Sequence, residues 1–265
     1  MKNIIQTTEI IKKDDWQTLK SFTNARIALG SCGNAIPLAE FLQFKHAHAN
    51  ARDAVYTILN INELITGLQK LNLPFHILHS KAQNRSVYLQ RPDYGRLLNE
   101  PSANQLMSEN KSNYDICIIL ADGLSANAIN LYALNLLSIL IPALNSQNLQ
   151  IAPLIIVEQG RVAISDEIGF LLNAKISLIL LGERPGLSSP ESMGAYLTFQ
   201  PAIGLTDENR NCVSNIHKDG LSVIEASKKI LYLIRESIKL KISGVTLKEN
   251  SIQKSLNINS GNNIQ

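Results

Sequence analysis

The sequence predicts an α/β protein with a doubly wound, mostly parallel sheet, preceded by a smaller and largely helical N-terminal region. Three observations carry this. Apolar runs at 116–121, 154–157 and 176–181 each stop at a turn cluster with glycine and charged residues. The runs are continuous rather than alternating, which marks strands covered on both faces, as in a parallel sheet. The stretches between them carry helical patterns, and strands alternating with helices signal a Rossmann-like arrangement.

Taken in order, residues 1–25 are polar, weakly patterned and read as an N-terminal arm. Residues 26–30 form a short apolar run ending in the turn Ser-Cys-Gly-Asn (31–34), and Pro37 suits a first helical position. From there to residue 55, Leu38, Phe41, Leu42 and Lys45 recur at helical spacing. A second helix is expected over 62–71, stopped by Pro74. Residues 75–80 and 86–90 look like short strands, and 91–107 is helical in parts. These pieces make up the mainly helical N-terminal region, 26–112.

The α/β domain follows over 113–249. Its helix over 125–141 is long and apolar enough to resemble a membrane span. Asn127, Asn130 and Asn135 lie within it and Pro142 interrupts it, so it reads as a buried helix on a sheet. A shorter helix is expected from Ser165 as N-cap, with Asp166 and Glu167 in its positive first turn. A fourth strand over 196–199 and a last helix over 222–241 complete the domain. The tail, 250–265, is rich in Asn and Ser and is expected to be disordered.

Composition narrows the function. Hydrophobic residues make up 45% of the 265, enough for a sizeable core. The 25 basic and 22 acidic residues are interspersed, whereas a nucleic-acid binder gathers its positive charge on one face. Neither a nucleic-acid nor a membrane partner is expected. Three scattered cysteines, Cys32, Cys117 and Cys212, argue against a disulfide framework and suit a reducing cytosol. The first residues lack the apolar stretch of a secretory signal, so a cytoplasmic location is expected.

In an open parallel sheet the carboxyl ends of the strands lie along one edge, where ligands bind. The three turn clusters should therefore bring Asp122, Gly123, Gly160, Arg161, Val162, Gly182 and Glu183 to a common rim. Ordinary strand-to-helix turns would contain the same residue types, and spacing alone leaves both readings open. No Gly-x-x-x-x-Gly-Lys-Ser/Thr is present and no Gly-x-Gly-x-x-Gly follows a strand, which disfavours nucleoside triphosphates and dinucleotides.

Several stretches add a resemblance. Ala-Asp-Gly-Leu-Ser (121–125), Val-Glu-Gln-Gly-Arg-Val (157–162), Gly-Glu-Arg-Pro-Gly-Leu-Ser (182–188) and Arg-Asn-Cys-Val-Ser-Asn-Ile (210–216) resemble the ethanolamine ammonia-lyase small subunit. So do His-Ala-His-Ala-Asn-Ala-Arg-Asp-Ala-Val (46–55) and Arg-Pro-Asp-Tyr-Gly-Arg (91–96), and the pieces run in order from about 16 to 248. The resemblance implies a subunit of an adenosylcobalamin-dependent lyase that turns ethanolamine into acetaldehyde and ammonia by a radical route. It implies that a large subunit carries the catalytic residues and binds ethanolamine, while the small one contacts the corrin through Val162, Glu183 and Cys212, the last expected on a later loop. No catalytic residue is expected in this chain. Family members that enter a bacterial microcompartment can carry a longer leader than the one here, so encapsulation and diffuse cytosolic residence both stay open.

An Asp-x-His-x-x-Gly sequence, found where a histidine replaces the cofactor's own base on cobalt, is absent, so the base-on form is expected. His46 and His48, like His76 and His79, point to different faces of their elements, so no metal site is expected at either pair. Rival readings are a stand-alone α/β enzyme with Asp122 or Glu183 as acid or base, and a purely structural interaction protein.

Overall fold

The computed structural model describes residues 10–108 and 112–248. The expected tail and the first part of the arm lie outside the described residues. Within them the chain forms the strands β1 (Phe75–His79), β2 (Tyr114–Ala121), β3 (Leu154–Glu158), β4 (Ala174–Gly182), β5 (Met193–Phe199) and β6 (Arg210–Ile216). They make one sheet in the order β1-β3-β2-β4-β5-β6. The first four strands of that row are parallel, and β5 and β6 extend it antiparallel. The sheet is thus mostly parallel, as the apolar runs predict. The 26–112 stretch also contributes to it: β1 pairs with β3 along its whole length.

The helices are α1 (Leu38–Tyr56), α2 (Ile61–Gln69), α3 (Arg85–Gln90), α4 (Glu100–Met107), α5 (Ala126–Asn145), α6 (Ile164–Leu171) and α7 (Val223–Leu240). Alternate residues of each buried strand feed two cores. Ile116, Ile118 and Leu120 of β2 pack toward α2, α5 and α7, with Leu136, Leu140 and Ile230. Cys117 and Ile119 point the other way, toward α4 and α6, with Leu106, Ile164 and Ile168. Covering both faces removes the polar alternation of a half-exposed strand, hence the unbroken apolar runs. The same geometry accounts for α5, which is long and apolar enough to cross a membrane yet lies on the sheet with nine side chains buried.

Four expectations need correction. Residues 86–90 are helical, not a strand: Asn84 caps α3 by accepting from the Val87 amide at 3.0 Å, a signal stronger than the strand propensity of Val87 and Tyr88. Pro142 does not end α5, which runs on to Asn145, because a proline so near the C-terminus disturbs only the last turn. Ser165 is not an N-cap; it lies inside α6, and its hydroxyl donates back to the Val162 carbonyl at 2.8 Å. Cys212, expected in a loop, sits on β6. That edge strand went unrecognised because its polar residues alternate with only two buried apolar ones, Val213 and Ile216.

Candidate functional site

β2 runs toward α5 on one face of the sheet, while its neighbour β3 runs toward α6 on the other. The sheet therefore opens a crevice at the carboxyl ends of the two strands, the position where ligands bind in folds of this kind. The loops after β2, β3 and β4 meet there. The Leu124 amide donates to the Gly182 carbonyl at 2.9 Å, joining the first loop to the third. The close approach needs glycine on both sides. Gly123 has φ +58°, and a Cβ on it would collide with the Gly182 carbonyl oxygen; a Cβ on Gly182 would collide with the Ser125 carbonyl oxygen.

Asp122 ties the second loop into place. Its two carboxylate oxygens accept the backbone amides of Gln159 and Gly160, each at 3.0 Å, and the Arg85 guanidinium lies 3.7 Å away. Burial pushes this carboxyl up to about 6, against the opposing pull of the two amides and Arg85. Both oxygens are thus committed to holding Gln159 at φ +55°, which leaves the group poorly placed to act on a substrate.

Beside Asp122 stands a stack that sequence reasoning missed. The guanidinium groups of Arg85 and Arg161 lie 4.7 and 4.5 Å from the Tyr88 ring centroid. The Tyr88 hydroxyl donates to the Gly160 carbonyl at 3.3 Å. Burial raises the Tyr88 pKa, with the Asp122 charge adding to it, so the phenol stays neutral. Arg161 is held at its amide, which donates to Gly95 at 2.8 Å, and through Nη2, which donates to the Tyr88 carbonyl at 3.2 Å. Arg85 Nη2 and Arg161 Nε are buried without a hydrogen-bond partner among the described residues. The stack lay hidden because Tyr88 was assigned to a strand. The Asn84 cap was the signal that would have revealed it.

These groups border a cavity of about 460 Å³ whose walls include Tyr88, Leu124, Arg161, Val162, Glu183 and Tyr196. Val162 and Glu183, two of the three residues assigned to the cofactor from sequence, thus face one space. Glu183 is held through one oxygen, Oε2, which accepts from the Ser192 hydroxyl at 2.6 Å and the Asn215 amide at 3.2 Å. Its Oε1 takes no hydrogen bond from the described residues.

Cys212 does not line the cavity but is registered with Tyr196, which does. Its side chain is exposed, not a core thiol. Desolvation, the Glu183 charge and neighbouring hydroxyls act on it, with a net upward shift that keeps the thiol protonated. A second cavity of about 510 Å³ adjoins the first, sharing Arg96, Ala163 and Asp207. Its floor holds the ion pair between Arg210 and Asp166 at 2.5 Å, both side chains 2% exposed. Asp166 and Glu167 stand in the first turn of α6, as expected; from there Asp166 also pairs with Arg210, and Glu167 accepts the Leu98 amide at 2.7 Å.

The histidines bond elsewhere. His79 contacts the Ser80 carbonyl at 2.8 Å, and His48 packs edge-on against Phe44. Among the described residues no cluster of three metal-ligating side chains occurs.

Comparison with known proteins agrees with the motifs. A family model described as "Ethanolamine ammonia-lyase light chain (EutC)" matches residues 13–248. The "Ethanolamine ammonia-lyase small subunit" of Azotobacter vinelandii is 48% identical over 240 residues, covering 89% of each chain. Proteins of the same description from Pseudomonas aeruginosa and Xanthomonas campestris are 46% and 45% identical over 241 and 240 residues, each covering 89% of this chain and 88% of the relative. A match spanning nearly every described residue, at such identity, means that the chain belongs to the ethanolamine ammonia-lyase small-subunit family.

Proposed function

We propose that this chain is the small subunit of an adenosylcobalamin-dependent ethanolamine ammonia-lyase. Its strand-end cavity holds one side of the corrin, while a large subunit binds ethanolamine and supplies the catalytic residues. The observation that carries the reading is that Val162 and Glu183, singled out by motif, line the same cavity. The lining suits such a group. Val162, Leu124 and the Tyr196 ring offer apolar surface to a macrocycle, while Glu183 Oε1 is an open acceptor. A ring edged with amides presents N–H donors to such an acceptor.

Size points the same way. A corrinoid is larger than the drug-sized ligands that fill sites of about 300–1,000 Å³, so a cavity of about 460 Å³ encloses only part of one and leaves the rest to a partner. When bound, the cofactor supplies a radical by homolysis of its cobalt–carbon bond. This chain's own residues bind and orient: Val162 packs on the ring, Glu183 accepts from its amide edge, and Cys212 supports Tyr196 from β6. Among the described residues no histidine lines the cavity, and His217 is engaged with Asn215 at 2.8 Å. That arrangement favours the base-on cofactor. For the complex we propose a cytoplasmic location, free or inside a bacterial microcompartment.

A stand-alone enzyme built on Asp122 has less support, since both of its oxygens are already occupied. Purified chain given ethanolamine and adenosylcobalamin is expected to release no ammonia until the large subunit is added. Release by the chain alone would reject the proposal.

A further inference from the structure

α1 is a helix of 19 residues that its own chain barely covers, for Ala47 and Ala54 are its only buried side chains. Most helical stability in proteins comes from packing an apolar face. The apolar face exists and points outward. Leu38, Phe41 and Leu42 follow the spacing that places side chains on one side of a helix, and they are 70%, 44% and 56% exposed. Phe22, 84% exposed, lies two residues after Lys20, which pairs with Glu40 in the first turn of α1 at 3.2 Å. A cluster of large apolar side chains on one helix and its approach differs from the scattered exposed residues of an ordinary surface and marks an interaction site.

The identity of the occupant follows from what α1 is tied to. At its far end the Val55 carbonyl accepts Arg85 Nε at 2.7 Å, and the same guanidinium donates to the Gly123 carbonyl at 2.7 Å. Ahead of the helix, Arg26 donates to the Leu187 carbonyl at 3.2 Å, in the loop that follows Glu183. Both ends of the unit are thus fastened to the loops that frame the cavity. Whatever closes that mouth is positioned to cover α1.

We propose that the face of α1 formed by Leu38, Phe41 and Leu42 docks on the large subunit, in one surface with the cofactor cavity. This inference rests on the functional reading above.

The test uses the full chain co-expressed with the large subunit. Phe41→Asp combined with Leu42→Asp is expected to weaken subunit association about tenfold or more, as losing central apolar anchors does, with far-UV circular dichroism and unfolding midpoint of the isolated chain unchanged. Unweakened association would overturn the proposal. A photo-crosslinker at Leu38 gives a second readout that does not depend on a disruptive variant. Crosslinking to the large subunit is expected, whereas crosslinking to a second copy of this chain, within an intact complex, would overturn the proposal. Failure of the unaltered chain to associate at all would instead sink the functional reading and this inference with it, a result separable from selective failure of the variant.

Discussion

Asp122 and Glu183 both stand at strand ends, in different electrostatic settings. Asp122 is buried with its oxygens on two amides, and burial raises its pKa from 3.8 to about 6. The folded state then holds this proton more tightly than the unfolded chain does. Stability from this group is greatest below about pH 4, falls as pH rises toward 6 and is level above that. A carbon-13 titration of the side chain should show a midpoint near 6, and Asp122→Asn should flatten the stability profile between those limits. Glu183 has one oxygen anchored and the other open. Glu183→Ala should lower cobalamin affinity of the assembled enzyme about tenfold, the loss of one hydrogen bond to a charged group, and should also lower the unfolding midpoint, since the buried Ser192 hydroxyl loses its acceptor. Unchanged affinity in a spectrophotometric titration would remove Glu183 from the site.

At the level of elements, the loops are locked together by contacts that distant segments supply. A methyl group on Gly182 would meet the Ser125 carbonyl, so Gly182→Ala should cost about 1–3 kcal/mol, readable as a lowered melting temperature. Arg210 on β6 reaches across to Asp166 on α6 in a fully buried pair. Arg210→Ala leaves a carboxylate buried without its partner, and urea unfolding should register a loss of about 3–5 kcal/mol. The parallel strands β2, β3 and β4 were legible from their unbroken apolar runs, and α1, α5 and α7 from apolar residues at helical spacing. α3 was not, since six residues carry too little periodicity to outweigh two strand-prone side chains. β6 was not, since an edge strand with one exposed face needs few apolar residues. Two residues tied to the site fell in those elements: Tyr88 on α3, which lines the cavity, and Cys212 on β6, which is registered with Tyr196.

Across the whole molecule, stability is unevenly distributed. β2 and β4 lie at the centre of the sheet with both faces covered, while α1 projects from the same body with almost no packing. Local opening follows that contrast. Hydrogen exchange in the isolated chain should be slowest at Ile118 and Ile179 and fast throughout α1. Addition of the large subunit should slow exchange across α1 and at the mouth of the cavity together. Slowing at the cavity alone would mean that α1 faces solvent in the assembled enzyme.

By itself the sequence determined the α/β architecture, the common rim and the family, because those depend on local apolar runs, on the one-directional edge of a parallel sheet and on ordered motifs. The tertiary structure alone decided that Asp122 staples a loop, that Arg85 and Arg161 sandwich Tyr88, and that Asp166, in the first turn of α6, also pairs with Arg210. Each of these depends on which distant side chain arrives next to a buried charge. No periodicity encodes that arrival, since it is set by how the layers pack.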